Sequence, residues 1–566
     1  MNGFVATVPA ARGSRLPTLE AGGPARRVER GGLVAVVDAR LDAPEPLRAA
    51  LGVGAGDDRR ASDAAVVAAA FERWGEGAPD RLEGAFAAVV WDREARTALA
   101  VRDRLGLRPL FRAAGPDGGV LFASSLAALR ARLAPALDAA HAAGFLAGDV
   151  GDGRTTFARG VERVPSATVV RVAPDGPPSE RRYWQLDPGP TFVASDAETE
   201  GRFLDLFDAS VEAALGDAPG AFLSGGLDSS SIVVTARQLR PDTRVPTFSI
   251  TYDRPEARET RYLDAVVAQG GLDPHRVDGE ALSLLDGLDD DLRAAGEPFA
   301  MPNLFLTRSL YAEARAAGVD AVLDGFAGDN VVGHGERRLA ELAWALRLPT
   351  LAREVRAVTA ASPRPRRAAL DLVRDYVAAP LVAPMRRARP ALSFAHPDLP
   401  FVAASPRAFR TDRATHAADL GSPLLAHAFE VAYAVAGAHG VEPRFPFASA
   451  PLVAFCLSLP SSQRMRDGVT RSVLRRALSG RLPDLVRDRH GKARLGTSFA
   501  DALVVRGADR LRQIVHEDVP DASDVLDVAA VQAAHARAVA DPAARGDLAV
   551  PLWRAAVVAR WLALTR

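Results

Sequence analysis

The sequence predicts an α+β domain followed by an α/β domain built on a doubly wound parallel sheet. Up to about residue 185, short β-like runs are separated by Gly, Pro and Asp turns, with a few helical stretches among them. From about residue 198, helices alternate with short apolar strands, which is typical of a parallel sheet covered by helices. The polar, Pro- and Gly-containing segment QLDPGPTFVASDAETE joins the two parts and is interpreted as a linker. We therefore expect two domains, 1–185 and 198–566.

The elements of the first domain follow from local patterns. Five β-like runs are GGLVAVVDA, GAFAAVVWD, TALAVRD, GVLFASS and ATVVRVA, and a helical pattern lies at SDAAVVAAAFERWG. A second helix is predicted at SLAALRARL, where Ser125 is placed to cap its amino end.

The second domain is predicted from alternating helix and strand patterns. Strands are expected at 221–223, 245–252 and 319–324, and helices at 199–215, 230–239, 257–269 and 304–317. The Arg- and Pro-rich stretch 336–400 is interpreted as a helical elaboration, and 424–566 is expected to be mostly helical.

Composition excludes several classes of protein. The 566 residues are 48% hydrophobic and 25% charged, and the 70 basic residues balance the 70 acidic ones. This balance argues against a nucleic-acid or anionic-membrane partner. The single cysteine, Cys456, cannot form an intramolecular disulfide. There is no secretion signal at the start, and the apolar stretch VPLWRAAVVARWLAL is interrupted by Arg554 and Arg560, so we expect a cytoplasmic protein without a membrane span.

A glycine-rich turn between a short apolar strand and a helix predicts a phosphate-binding loop. Two glycines allow the backbone to approach a ligand closely, and the following helix start presents N–H groups suited to anions. Asp228 would be out of place beside phosphate unless a cation such as Mg²⁺ joined them. There is no Gly-Lys-Ser/Thr ending, so a Walker-type loop is excluded. The candidate ATP ligands here are Ser224, Gly225, Gly226, Asp228, Ser229 and Ser230.

A second carboxylate follows the strand AVL at 321–323. The segment DGFAGD places Gly325 and Asp329 just beyond that strand, and Gly325 is a further candidate ATP ligand. Loops at the carboxyl ends of parallel strands meet at one edge of the sheet and bind ligands there. We therefore expect Asp329 to join Asp228 in holding Mg²⁺.

These motifs resemble the ATP pyrophosphatase superfamily, in which ATP is cleaved to AMP and pyrophosphate, and within it the synthetase domain of class B asparagine synthetases. The resemblance implies an ATP pyrophosphatase fold (adenine nucleotide alpha hydrolase-like) with helical elaborations, and ATP and Mg²⁺ as cofactors. Further matches to that family are Phe248, Ser249 and Ile250 on the adenine side, Glu259 with Tyr262, Glu442 and Arg444 in EPRFPF, Arg471, and the segment RHGK that ends at Lys492.

The family's catalytic lysine falls on Lys492, which is the only lysine among the 70 basic residues. The high content of Ala, Arg, Gly and Pro suggests a coding bias that replaces lysine by arginine wherever either serves. The one lysine left therefore predicts a position that needs a compact ammonium rather than a planar guanidinium. An ammonium there could stabilise negative charge as an amine attacks an acyl adenylate.

The N-terminal segments RLEGAFAAVVWDREARTALAVRDRLGLRPLF and LFASSLAAL resemble the glutaminase domain of the same family. This implies an Ntn-hydrolase type fold with αββα layers. That glutaminase uses a cysteine at position 2 as its nucleophile, whereas this sequence has Asn2. We infer a glutaminase-like domain without glutaminase activity, so the amine must come from elsewhere, most simply from the substrate.

Three kinds of relative lack glutaminase chemistry: β-lactam synthetases, carbapenam synthetases and lasso-peptide cyclases. The β-lactam-forming enzymes carry a tyrosine where this sequence has Phe326, which argues against that reaction. The stretches GFAGDNVVGHG, EPFAMPN and EPRFPF resemble the lasso-peptide cyclases. The resemblance implies adenylation of an Asp or Glu side chain of a precursor peptide, ring closure by its N-terminal amine, and a leader-binding protein and a leader peptidase as partners.

Five further residues are candidates for catalysis or substrate contact. His334 could contact substrate or act as a base, and Glu430 could supply a carboxylate where the amine is activated. Asn303, Glu442 and Arg444 are candidate substrate contacts. The alternatives to a lasso-peptide cyclase are a β-lactam synthetase, an ammonia-dependent asparagine synthetase and, outside enzymes, a scaffold that delivers peptide to a partner.

Overall fold

The computed structural model describes most of the chain. The described residues are 3–9, 17–42, 44–54, 56, 58–115, 118–174, 176–216, 219–252, 260–360, 362, 364–378, 393–399, 411–489 and 499–566.

The first part of the chain forms two antiparallel sheets, which together with their helices we call the N-terminal sandwich. One sheet has the order β2-β1-β8-β7-β9 and the other β11-β10-β6-β5-β4-β3. The strands are β1 Gly3–Val8, β2 Thr18–Gly22, β3 Arg26–Arg30, β4 Leu33–Leu41, β5 Gly84–Asp92, β6 Thr97–Arg102, β7 Phe111–Ala114, β8 Val120–Ala123, β9 Val161–Arg163, β10 Thr168–Val172 and β11 Ser179–Arg182.

Four helices accompany these sheets: α1 Glu45–Leu51, α2 Arg59–Trp74, α3 Leu126–Leu133 and α4 Ala139–Leu146. Apolar residues of β1, β4, β5 and β8 meet between the two sheets, where Phe4 and Phe122 are fully buried. A second core lies between α2 and one sheet, and a third lies between α3 and the other. Each sheet thus buries one face on the other sheet and one face on helices, which confirms the αββα layering. Ser125 caps α3 through its hydroxyl, which accepts from Ala128 N.

The second part of the chain contains a five-stranded parallel sheet of order β14-β13-β12-β15-β16. The strands are β12 Gly220–Phe222, β13 Val245–Thr251, β14 Leu272–Asp278, β15 Ala321–Leu323 and β16 Glu442–Arg444. The chain winds outward from β12 through β13 to β14, then returns to the other side of β12 with β15 and β16. The direction therefore reverses between β12 and β15, the place where such sheets open a crevice for ligands. This confirms the predicted doubly wound sheet.

Helices cover the parallel sheet and fill the rest of the chain. They are α5 Asp196–Leu215, α6 Leu227–Leu239, α7 Thr260–Val267, α8 Leu288–Ala295, α9 Leu304–Ala316, α10 Gly328–Val332, α11 Arg338–Trp344, α12 Leu348–Thr359, α13 Pro365–Leu372, α14 Asp412–Leu420, α15 Pro423–Ala438, α16 Ala450–Ser458, α17 Ser461–Arg464, α18 Ser472–Ala477, α19 Asp484–Arg487, α20 Ala508–Gln513, α21 Val519–Asp521, α22 Val528–Ala540 and α23 Arg545–Thr565. A small antiparallel pair consists of β17 Met465–Arg466 and β18 Val469–Thr470.

Short turns of 3₁₀ or π geometry lie at Gly75–Arg81, Gly279–Ala281, Val373–Ala378, Pro446–Ala448, Ala502–Arg506 and Ile514–Asp518.

Two strands of the parallel sheet were not predicted from the sequence. The edge strand β14 is mostly polar and contains Pro274, so it lacks an apolar signal. The strand β16 has three residues, two of them charged, and lies in the region expected to be helical. Both exist because they pair in register with neighbours that are already strands, β13 and β15.

The C-terminal helix α23 packs against both parts of the chain. It is long and apolar enough to span a membrane by length and composition, but most of its apolar window is buried inside the fold. Trp561 contacts Phe157 of the N-terminal sandwich, with ring centroids 5.6 Å apart, and lies under the guanidinium of Arg130. We interpret α23 as a core helix that also ties the sandwich to the rest of the chain.

Candidate active site

A cavity of about 460 Å³ opens where β12 and β15 end, at the point where the sheet changes direction. The predicted site residues that line it are Ser224, Gly226, Asp228, Ser229, Phe248, Ile250, Gly325 and Asp329. The structure thus brings together two loops that lie one hundred residues apart in the sequence.

The glycine-rich loop turns sharply between β12 and α6. Gly225 has a left-handed backbone with φ of 71°, a conformation that favours glycine. The loop is tied to the helix because Ser224 N donates to Ser229 Oγ at 3.1 Å and the two hydroxyls lie 3.0 Å apart. The helix begins after Gly226 without a side-chain cap. Its amino end therefore faces the cavity as a site of partial positive charge suited to an anion.

The two aspartates converge on one cationic group. Nη1 of Arg471 donates to both carboxylate oxygens of Asp228, at 2.8 and 3.0 Å, and it also bonds to Asp329. The two carboxylates therefore lie close enough together to share a cation. Hard carboxylate oxygens are the ligands that Mg²⁺ prefers, so the donor set fits the metal that the sequence predicts.

Two glycines allow the second loop to approach the first. A Cβ on Gly328 would lie 2.7 Å from Cγ of Asp228, and a Cβ on Gly325 would lie 2.8 Å from the backbone nitrogen of Ser229. Real Cβ atoms do not come so close, so a Cβ at either position would force the neighbouring loop to move. The pattern DGFAGD is thus explained by the close contact between the loops that carry Asp228 and Asp329.

One wall of the cavity is apolar. Phe248 and Ile250 of β13 contribute to it, together with Phe222 and with Leu306 and Leu310 of α9. These side chains form an apolar surface next to the anion-binding loop. The arrangement suits a ligand with an aromatic base at one end and phosphates at the other.

The cavity also contains residues that the sequence did not single out. Burial raises the pKa of Asp324 to about 6, and the hydrogen bond from Phe326 N, 2.9 Å long, offsets this only in part. Arg489 donates to the carbonyl of Gly225 at 3.2 Å and lies over the ring of Tyr262, 4.2 Å from its centroid. Arg489 lies only three residues before Lys492 in the sequence, and this proximity could have predicted that Arg489 reaches the site.

Phe326 belongs to an aromatic cluster at the cavity. Its ring contacts those of Phe429 and Phe445, with centroid distances of 5.2 and 6.0 Å. The side chain is therefore held by packing and offers no polar group to a ligand.

Other predicted residues lie at the edge of the cavity or beneath it. His334 Nε2 is 3.9 Å from Asp329 Oδ1, and its side chain is 43% exposed. Asn303 is exposed just before α9, one turn from the cavity-lining Leu306. Ser230 and Ser249 are fully buried and do not line the cavity, which corrects the expectation that they contact ATP.

Glu430 lies in a different place from the one expected. It lines a separate cavity, also of about 460 Å³, between α15 and the N-terminal sandwich. Its carboxylate lies 2.8 Å from Nε of Arg163 and 2.8 Å from Nη2 of Arg102. Burial by itself would raise the pKa of Glu430, but these guanidiniums outweigh burial and hold it below its usual range. The interpretation as an amine-activating carboxylate is not supported by this position.

Glu442 faces the sandwich and Arg444 faces the end of α5, so neither lines the cavity between the aspartate loops. Glu442 pairs with Arg108 of the sandwich and, at 3.3 Å, with Arg60. Arg444 donates to the carbonyl of Ala214 at 2.8 Å, at the end of α5. Their contacts are with protein groups, which corrects the expectation that they touch substrate.

Three residues that carried the sequence argument lie outside the described residues. They are Asn2, Glu259 and Lys492.

Comparison with known proteins agrees with this architecture. The family model described as asparagine synthase matches residues 202–563, and the model described as a glutamine amidotransferase domain matches residues 31–184. The first match covers more than half of the chain and includes both aspartate loops.

Individual relatives match in part. Asparagine synthetase [glutamine-hydrolyzing] 3 of Bacillus subtilis is 31% identical over 219 residues, which cover 37% of this chain and 35% of the relative. Asparagine synthetase [glutamine-hydrolyzing] 1 of the same organism is 24% identical over 278 residues, or 47% of this chain and 43% of the relative. The matches therefore span less than half the length of these relatives.

A glutamine phosphoribosylpyrophosphate amidotransferase structure from B. subtilis aligns over 57% of this chain and 75% of its own, with 15% identity and a TM-score of 0.22, too low to carry a structural argument. The family match over residues 202–563, together with the doubly wound sheet and the paired aspartate loops, shows that the chain belongs to the asparagine synthase family.

Proposed function

We propose that this protein is an ATP-dependent macrolactam synthetase acting on a precursor peptide, as the lasso-peptide cyclases do. In the first step, a side-chain carboxylate of Asp or Glu attacks the α-phosphate of ATP, giving an acyl adenylate and pyrophosphate. In the second, the N-terminal amine of the same peptide attacks the acyl carbon, forming an amide and releasing AMP and a proton.

The observation that supports the adenylation step is the convergence of Asp228 and Asp329 on the guanidinium of Arg471, beside a helix start without a side-chain cap. The amino end of α6 and the serines of its loop bind the phosphates, and the apolar wall holds the base. Bound Mg²⁺ would supply charge neutralisation for the departing pyrophosphate. The lone Lys492 is proposed to stabilise negative charge on the acyl adenylate when the amine attacks.

The cysteine content of the sequence indicates that the attacking amine belongs to the substrate and does not come from glutamine. Cys456 is the only cysteine of the sequence. It is fully buried in α16, where burial raises the pKa of its thiol to about 12. A thiol that stays protonated is a poor nucleophile. The chain therefore offers no cysteine to hydrolyse glutamine, which agrees with Asn2 at the position of the glutaminase nucleophile.

Phe326 favours ring closure on a peptide over β-lactam formation. Its ring is engaged with Phe429 and Phe445 and has no hydroxyl that could take or orient a proton. The resemblance of GFAGDNVVGHG and EPFAMPN to the lasso-peptide cyclases points the same way. A leader-binding protein and a leader peptidase are the partners that we propose on that resemblance.

The test is ATP–pyrophosphate exchange with three matched peptides. A candidate peptide with a free N-terminus and an acidic acceptor should support exchange, release AMP and lose one water in mass. The same peptide with an acetylated N-terminus should support exchange but form no ring. A version with Asn or Gln in place of the acceptor should support neither.

Other outcomes would favour the alternatives. Amide formation with free aspartate and ammonium salts would indicate an asparagine synthetase-like reaction, and closure of a small β-amino acid would indicate a β-lactam synthetase. If no carboxylate supports exchange while the protein still binds peptide, the scaffold becomes the better hypothesis.

A further inference from the structure

Arg471 occupies the space between the two aspartates where the proposed function requires a divalent cation. Its Nη1 lies 2.8 and 3.0 Å from the carboxylate oxygens of Asp228 and also bonds to Asp329. The side chain of Arg471 is only 7% exposed, so bulk water does not screen these contacts well. A guanidinium and a metal ion cannot use the same oxygens in the same place.

The backbone of Arg471 is held in an unusual conformation. It has φ of 53° and ψ of 38°, in the left-handed region, and it immediately precedes α18. A residue with a Cβ is strained there unless its surroundings determine the conformation. The ion pairs with both aspartates are the contacts that direct this side chain into the site. A metal ion bound to the same carboxylate oxygens would break these contacts.

The surroundings of the pair are rich in positive charge. Arg475 lies one turn further along α18. Its guanidinium donates to the backbone carbonyls of Thr470 and Arg487. Arg489 lies on the same cavity. A divalent cation arriving alone would meet this charge in addition to Arg471. A nucleotide arriving with it brings anionic oxygens that can accept the displaced guanidinium.

We propose that Arg471 is a displaceable counter-ion of the aspartate pair, so that a divalent cation binds well only together with the nucleotide phosphates that take over the guanidinium. The proposal rests on the proposed function, because it assumes that Asp228 and Asp329 hold a cation during the reaction. Displacement of Arg471 would make the cation and the nucleotide bind cooperatively. Linkage requires that each then raises the affinity of the other by the same factor.

A purely structural ion pair would behave differently. If Arg471 only stabilised the fold, its removal would leave two close carboxylates and a less stable protein, without a link between cation and nucleotide. The distinguishing quantity is therefore the change in cation affinity that a nucleotide causes, in the presence and absence of Arg471.

The experiment measures Mn²⁺ binding to the full-length protein by electron paramagnetic resonance of the free ion. Titrations are made with and without α,β-methylene-ATP, which cannot be cleaved at the reacting bond. In the unchanged protein we expect the analogue to raise the affinity for Mn²⁺ by about tenfold or more, within the usual range of coupled sites. In Arg471→Gln we expect Mn²⁺ alone to bind about tenfold more tightly, and the gain from the analogue to fall below about threefold.

Two further variants complete the design. Arg475→Gln removes a nearby positive charge that does not contact the aspartates, so it should change Mn²⁺ affinity much less than Arg471→Gln. Arg471→Lys keeps a positive charge but lacks the planar fork, so its Mn²⁺ affinity should lie between those of the unchanged protein and Arg471→Gln. Arg471→Lys also remains informative if Arg471→Gln does not fold.

The outcomes separate the inference from the function on which it rests. If the unchanged protein binds Mn²⁺ with the analogue but Arg471→Gln binds Mn²⁺ alone no more tightly, the counter-ion proposal is wrong and the cation site stands. If the unchanged protein binds no Mn²⁺ even with the analogue, the cation site itself is wrong and both proposals fall.

Discussion

A guanidinium nitrogen of Arg102 lies 2.8 Å from a carboxylate oxygen of Glu430, and this pair joins strand β6 of the N-terminal sandwich to helix α15. Both side chains are at most 5% exposed. Arg163 of β9 bonds to the other oxygen of the same carboxylate. The sandwich therefore clamps α15, whose Phe429 contacts Phe326 at the candidate active site. Through this clamp the sandwich contributes to the shape of a site that none of its described residues lines.

The first prediction concerns this clamp. Glu430→Gln leaves two buried guanidiniums without their counter-charge, so we expect the free energy of unfolding to fall by about 3–5 kcal/mol. Urea denaturation measures this loss. Adenylation by the folded protein should stay within about threefold, because Glu430 faces another cavity and the effect on the site is indirect.

A matched control for the clamp is Glu180→Gln. Its pair with Arg154 has similar distances, 2.8 and 2.9 Å, but both side chains are about one-third exposed. We expect a loss below about 1 kcal/mol there. A Glu430→Gln protein of full stability that cannot form the amide would restore the catalytic interpretation of Glu430.

The second prediction concerns the aspartate pair. Asp228→Asn and Asp329→Asn each replace an anionic metal ligand by a neutral one. ATP–pyrophosphate exchange should therefore fall by about 100-fold or more, because removing a direct ligand costs more than removing a residue that only orients a ligand. Exchange rates at saturating peptide measure this. Asp205→Asn, at an exposed position of α5, is the control and should exchange at the normal rate. Normal exchange in either variant would remove that aspartate from the proposed cation site.

The third prediction concerns the closeness of the two loops. Gly328→Ala places a Cβ 2.7 Å from Cγ of Asp228, so Asp228 must move and nucleotide-dependent Mn²⁺ binding should weaken by about tenfold or more. Electron paramagnetic resonance titration measures the affinity. In the control, Gly201→Ala, the new Cβ meets nothing within 4 Å inside α5. That variant should bind normally and gain about 0.5–1 kcal/mol of stability. Equal affinities in the two variants would contradict the steric argument.

The fourth prediction concerns the only lysine. Lys492→Arg keeps the positive charge but replaces a compact ammonium by a planar guanidinium, so amide formation should fall by about 100-fold while the protein stays folded. Product formation followed by mass spectrometry measures this. The reverse exchange two positions on, Arg494→Lys, tests whether any Lys–Arg exchange in this segment has the same effect, and it should be mild. Full activity of Lys492→Arg would show that the reaction does not require an ammonium group at position 492.

The fifth prediction concerns pH. Burial raises the pKa of Asp324 from 3.8 to about 6, so the folded state holds this proton more tightly than the unfolded state does. The resulting contribution to stability is fully present below about pH 4 and is lost as pH rises through 6. Asp324→Asn cannot ionise and should be more stable than the unchanged protein at pH 8, by up to about 3 kcal/mol, and little different near pH 4.

Urea unfolding at the two pH values, in the presence of a chelator, tests this. Asp205→Asn again serves as the control, because an exposed carboxylate should give the same difference at both pH values. An Asp324→Asn protein that is destabilised equally at pH 4 and pH 8 would mean that Asp324 acts through its hydrogen bond to Phe326 N and not through its charge.

The loop from Ser224 to Ser230 and the approach of Asp329 to Asp228 were predictable, because a short apolar strand, a glycine turn and a helix follow one another along the chain. The αββα sandwich was implied by resemblance and is confirmed by its three layered cores. The role of Glu430 was not predictable, because its partners Arg102 and Arg163 lie far away in the sequence.

The sequence by itself determined the features that depend on neighbouring residues along the chain. These are the position of the glycine-rich loop, the glycines that let two loops approach, and the distribution of helices and buried strands. Tertiary structure alone decided which arginines meet the buried acidic side chains. Arg471 reaches Asp228 across 243 residues, and β16 is a strand only because β15 lies beside it. Such contacts depend on how distant segments pack, and a buried charge takes its role from the partner that burial gives it.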